Sequence, residues 1–156
     1  MSLPLLLDSN ILSRVVRPDI VENQPFIGAV NSLLRDERFE PCVPEIIDYE
    51  MRRKLLHVGR HRHHGRKWAL KALTNLDKWA ALGYLPLTTS ALKLAAEIWA
   101  QTRADGQSRA SEESLDVDVI LAAQARQAGG CVVTMNERHF QKIADIFDWR
   151  SYLPSN

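Results

Sequence analysis

The chain opens on an apolar run, Leu3-Pro4-Leu5-Leu6-Leu7, closed by Asp8. The run lacks the alternation of a strand with one wet face. It predicts a strand buried on both faces, as in a parallel sheet covered by helices. Beyond Arg17-Pro18 and Gln24-Pro25 the apolar period becomes helical: Phe26, Val30, Leu33 and Leu34 predict a helix over about 24–36. Pro41-Cys42-Val43 is a second short strand, and Pro44 suits the first turn of the helix after it. That helix carries Ile47, Met51, Leu55 and Val58 on one face and ends at Gly59 and the polar run to Gly65. Trp68, Ala72, Leu76 and Trp79 mark another helix, ending near Gly83.

Tyr84-Leu85-Pro86-Leu87 is a short strand, and Thr89 or Ser90 is placed to cap a helix through Leu94 and Ile98 to about Arg103. Residues 105–114 are polar and aperiodic, a surface loop. A helix over 115–128 stops at Gly129-Gly130. Cys131-Val132-Val133-Thr134 is a strand, 136–144 a short helix or loop, and 146–149 an edge strand. Strands alternate with helices, and no repeat or linker divides the 156 residues. The expected architecture is one domain over 1–156, a three-layer α/β/α fold with a mostly parallel central sheet.

Hydrophobic content of 46% and charged content of 25% are ordinary for a globular protein, and a formal net charge of +1 points to no partner. The distribution of charge says more. No acid lies between Glu50 and Asp77, while Arg52, Arg53, Lys54, Arg60, Arg62, Arg66, Lys67 and Lys71 do, with four histidines. Acids gather at Asp8, at Glu45/Asp48/Glu50 and at Glu112/Glu113/Asp116/Asp118. A chain divided in this way can hold a polyanion on one patch and a cation on another. Cys42 and Cys131 each sit in a short apolar run. They read as reduced core thiols, which makes a cytoplasmic setting the expectation. No signal peptide or membrane span is expected, since the opening apolar run is too short for either.

Asp8 falls at the carboxyl end of the first strand, where ligands bind in open α/β sheets. It is equally placed to cap the following helix with Ser9 and Asn10. Glu50 lies on the helix face away from Met51 and Leu55, with Arg53 and Lys54 as alternative partners. Asp116 and Asp118 stand near a helix start, where acids are favoured anyway. Two residues apart in a regular helix, they point about 200° apart. Asp116 is therefore expected at or before the cap and Asp118 in the first turn, facing the first strand. Carboxylates converging from separate elements suit a hard divalent cation, which takes oxygen ligands and keeps several waters.

Taken together these stretches resemble the PIN-domain family, in particular VapC-like toxins of toxin–antitoxin pairs. Leu5-Leu6-Leu7-Asp8-Ser9-Asn10 matches the opening motif, and the segment from Val43 through Glu50 to Arg53 resembles the second, with its acid on Glu50. Asp118-Val119-Ile120-Leu121-Ala122-Ala123 is similar to the third, and the segment from Val132 through Thr134 and Asn136 to Phe140 resembles the last. Many members carry a further acid where this chain has Asn136.

The resemblance implies Mg²⁺- or Mn²⁺-dependent hydrolysis of RNA phosphodiester bonds. Asp8, Glu50 and Asp118 would be metal ligands, Asp116 a ligand or general base, and Asn10, Thr134 and Asn136 supporting residues. It also implies a cognate antitoxin and a homodimer as partners besides RNA. Electrostatics adds Arg52, Arg53, Arg60, Arg62, Arg66 and Lys67 as an RNA-gripping surface.

The rival readings are a non-catalytic RNA- or protein-binding module on the same fold and a stand-alone housekeeping ribonuclease. Zinc is disfavoured, because the run from His57 to Lys67 has no second ligand pair. A phosphotransferase built on a strand-end Asp needs a second Asp two residues on, where this chain has Asn10. Trp68, Trp79 and Trp99 fall on apolar stripes and are expected in the core.

Overall fold

The computed structural model describes residues 1–61, 64–106 and 112–155. Four parallel strands form the sheet, in the order β3-β2-β1-β4. They are β1 (Leu3–Leu7), β2 (Phe39–Pro44), β3 (Tyr84–Leu85) and β4 (Cys131–Val133). The helices are α1 (Ser9–Val15), α2 (Gln24–Arg35), α3 (Glu45–His61), α4 (Arg66–Leu82), α5 (Thr89–Ala104), α6 (Glu112–Ala128) and α7 (Glu137–Phe140). They flank the sheet in the expected three-layer α/β/α arrangement.

Leu5, Leu6 and Leu7 are at most 1% exposed, the double-sided burial that an uninterrupted leucine run predicts. Around them pack Ile11 and Leu12 of α1, Ile47 of α3, Leu121 of α6 and Val132 of β4. Trp68, Trp79 and Trp99 are partly buried against this core.

From β1 the chain crosses to β2 on one side and later returns to β4 on the other. The sheet therefore reverses its winding beside β1, and the crevice at the carboxyl ends of β1 and β4 is the ligand position of such sheets. Gly129 and Gly130 set the approach to β4. Gly129 has φ +64°, the left-handed conformation that ends α6. A Cβ on Gly130 would stand 2.5 Å from the Pro4 carbonyl oxygen of β1.

Several expected boundaries move. Pro44 closes β2 rather than opening α3. The third strand is two residues long, and Thr88, not Thr89 or Ser90, caps α5 by accepting from the Ala91 N–H at 3.1 Å. Helix α6 begins at Glu112. The expected loop of 105–114 is thus shorter, and its 107–111 stretch lies outside the described residues. The edge strand of 146–149 reduces to one bridge, Val132 with Ile146, because Trp149 instead opens a 3₁₀ turn. Trp149 buries its ring and donates from Nε1 to the Thr134 carbonyl at 2.9 Å. Both cysteines are free, and burial pushes the Cys42 thiol up to about 12. Among the described residues, no helix is long and apolar enough to cross a membrane.

Candidate active site

Asp8 follows directly on β1, and its backbone N–H donates to the Val133 carbonyl at 3.0 Å. This holds the carboxyl ends of β1 and β4 level. The two roles open to Asp8 coexist, one on each oxygen. Oδ1 accepts from the Ser9 N–H at 2.7 Å and caps α1. Oδ2 accepts from Thr134 Oγ1 at 2.7 Å. Thr134 is fully buried. Its hydroxyl also lies 3.2 Å from Asn10 Nδ2 and 3.0 Å from the Asn136 backbone N–H, both donors. With two donors pointing in, its single proton is committed to Asp8. Asn10 Oδ1 in turn accepts from the Met135 N–H at 3.1 Å. Asn136 joins this network through its backbone.

Glu50 reaches the crevice from α3 and Asp118 from α6. Lys54, one turn on, pairs with Glu50 Oε1 at 2.8 Å, so the expected helical ion pair is present. Glu50 Oε2 is buried and has no hydrogen-bond partner among the described residues. Asp118 Oδ2 lies 3.1 Å from His139 Nδ1.

The three carboxylates feel one another. Burial, then the charges of Asp8 and Glu50, push the Asp118 carboxyl up to about 6, against the pull of His139. Burial is also the main reason Asp8 is raised, opposed by its bonds from Thr134 and Ser9 and reinforced by Glu50. Among the described residues no three acidic, His or Cys side chains form a ready-made direct ligand set. The donor set still fits a hard cation that keeps its waters and takes only one or two direct carboxylates. An oxygen with no donor and two carboxyls with raised proton affinity are what such a cation would relieve.

Asp116 is not part of this cluster. Because α6 starts at Glu112, Asp116 lies inside the helix rather than at its cap, and Asp118 lies in the second turn rather than the first. Asp116 is exposed and lines a hollow with Leu92 and Trp99 of α5, away from Asp8.

The basic residues separate too. Arg53, Arg60, Arg66 and Lys67 are exposed on the α3–α4 hairpin. Arg52 is engaged by Asp48 at 2.8 Å and Asp77 at 2.7 Å, a clamp between α3 and α4. Arg62 lies outside the described residues.

Two features have no counterpart in the sequence reading. His139 stands within the quoted last motif, but nothing local pairs it with Asp118, 21 positions away. A groove of about 460 Å³ also opens beside the site, beginning at Ser9 and Asn10 and lined by Arg14, Arg17, Lys54 and Trp68. The Arg17 guanidinium lies 4.2 Å from the Trp68 ring centroid.

A parallel α/β/α sheet with acidic side chains gathered at the switch point defines a class of α/β proteins with an acidic crevice at the carboxyl ends of the strands. The family follows: the PIN domain profile matches residues 5–146, and the chain belongs to that family. Curated protein sequences yield no significant match. Among solved structures the chain is similar to VapBC2 from Rickettsia felis bound to a promoter DNA fragment. The TM-score is 0.69 at 13% identity, over 93% of this chain and 96% of that one. It is similar to FitAcB from Neisseria gonorrhoeae, with TM-score 0.67 at 21% identity over 94% and 98%. DNA-bound VapBC from Salmonella typhimurium gives 0.68 at 19% identity, again over 94% and 98%. At these identities the likeness is one of fold.

Proposed function

We propose that this protein is a Mg²⁺- or Mn²⁺-dependent endoribonuclease and the toxin of a toxin–antitoxin pair. The observation that carries the nuclease reading is the meeting of Asp8, Glu50 and Asp118 in one crevice, with the buried Glu50 Oε2 unpartnered. Family membership supports it, and the VapBC and FitAcB folds favour a toxin with a cognate antitoxin.

Asp8 and Asp118 would hold the cation, with Glu50 as a direct or water-mediated partner. When bound, it supplies positive charge at a phosphate oxygen and a water acidic enough to attack at neutral pH. Thr134 and Asn10 hold the Asp8 carboxylate in one orientation, and His139 does the same for Asp118. In the hydrolysis, water adds to phosphorus, one bridging P–O bond breaks and the leaving oxygen takes up a proton. Arg53, Arg60, Arg66 and Lys67 attract the RNA backbone, while Arg14 and Lys54 extend positive charge to the edge of the crevice. Asp116, on the α5 side of α6, is left out of this reading. The same reading implies a cytoplasmic protein and a homodimer.

Incubating RNA with purified protein tests this. Cleavage with Mg²⁺ or Mn²⁺ that stops with EDTA is expected, and RNA left intact with either ion would contradict it.

A further inference from the structure

His57 and His61 stand one turn apart near the carboxyl end of α3, and both are exposed. Their ring centroids are 4.7 Å apart with the planes tilted by 46°. Histidines four apart on a helix share a face, and the pair is the two-ligand half of a helical zinc motif. Two nitrogens bound to one tetrahedral ion at about 2.0–2.1 Å sit roughly 3.3 Å apart. The rings need only side-chain rotation to reach that spacing.

We propose that His57 and His61 form a second metal site, a two-ligand one completed by water rather than a closed zinc site, for a borderline transition ion such as Ni²⁺ or Cu²⁺. Imidazole suits these ions, whereas carboxylate and water suit Mg²⁺ and Mn²⁺. The two sites therefore differ in ligand chemistry. They also differ in place: the midpoint of the pair is nine residues beyond Glu50, so the ion sits about 13 Å along the helix axis from the carboxylate. By bridging one turn the ion staples the end of α3, beside exposed Arg53 and Arg60. Bound only to the folded helix, it raises stability with concentration.

The test titrates tag-free protein with Ni²⁺ or Cu²⁺ in excess Mg²⁺, added to compete at the carboxylates. One ion per chain is expected. Even outer-shell partners of metal sites are worth about tenfold to a hundredfold in affinity, so His57→Ala or His61→Ala should weaken binding by at least that. His139→Ala should leave it intact. In the unmodified protein, paramagnetic Ni²⁺ should broaden the ring resonances of His57 and His61 first. Unchanged binding in His57→Ala, no binding in the unmodified protein, or first broadening at another histidine would each overturn the proposal.

Discussion

Thr134 Oγ1 donates to Asp8 Oδ2 at 2.7 Å and joins β4 to β1 at the floor of the acidic crevice. The direction of that bond is fixed by the two donors that enter the same hydroxyl. Thr134→Val removes the donor to Asp8 and leaves Asn10 Nδ2 and the Asn136 N–H without their acceptor. A stability loss of about 1–3 kcal/mol is expected, with weaker Mn²⁺ binding. Thr134→Ser keeps the hydroxyl and should recover most of both. Denaturant unfolding and calorimetric Mn²⁺ titration of the two variants check this, and equal behaviour of Val and Ser would contradict it.

Asp118 makes the metal-free protein depend on pH in an unusual sense. Its folded carboxyl titrates at about 6, above the ordinary 3.8, so the folded state holds the proton more tightly. The stabilisation from this group is present at low pH and is lost as pH rises from about 4 through about 6. In EDTA, Asp118→Asn should stabilise the protein at about pH 7.5 by about 1–3 kcal/mol. Saturating Mg²⁺ should narrow the difference. Thermal unfolding with and without the cation measures both, and a destabilised Asn variant in EDTA would contradict the assigned cause.

The basic hairpin separates grip from scaffold. Arg60→Ala, Arg62→Ala and Arg66→Ala together should weaken RNA binding and flatten its salt dependence by up to about one log-log unit per lost phosphate contact. Arg52→Ala should act differently. It unclamps Asp48 from Asp77 and should lower stability more than it changes the salt slope. An unchanged slope in the triple variant would make the segment plain surface.

Asn136 bears on how many cations bind. Its backbone N–H serves Thr134, and as a neutral side chain it adds no charge to the trio of acids. Free protein should hold at most one Mg²⁺ or Mn²⁺ tightly, a second arriving with the RNA phosphate. Asn136→Asp should strengthen the second ion without RNA. Calorimetry with Mn²⁺ decides, and two equally tight ions in the unmodified protein would contradict this.

What could be read from the sequence was what is local. The double-sided burial of β1 follows from unbroken Leu5-Leu6-Leu7, and Asp8 at its end follows from where the apolar run stops. Asp116 and Asp118 were harder to separate. Apolar periodicity in α6 begins only at Leu115, whereas the helix begins at Glu112 within a polar stretch. That shift of three residues moves both acids deeper into the helix and leaves Asp116 on the α5 side. Thr134 was legible as a supporting residue, but its bonds to Asp8 and Asn10 depend on the level alignment of β1 and β4. His139 was not legible, because its partner comes from another element. Trp149 falls in the expected edge strand of 146–149, yet it opens a 3₁₀ turn and its indole N–H donates to the Thr134 carbonyl.

Asp8 and Asp118 are the residues proposed to carry metal-dependent RNA cleavage. The most direct measurement compares RNA cleavage by the unmodified protein, Asp8→Asn and Asp118→Asn in Mg²⁺ or Mn²⁺, each shown to be folded by circular dichroism. Cleavage by the unmodified protein alone, abolished by EDTA, is the predicted result. Full activity in either folded variant would contradict the account.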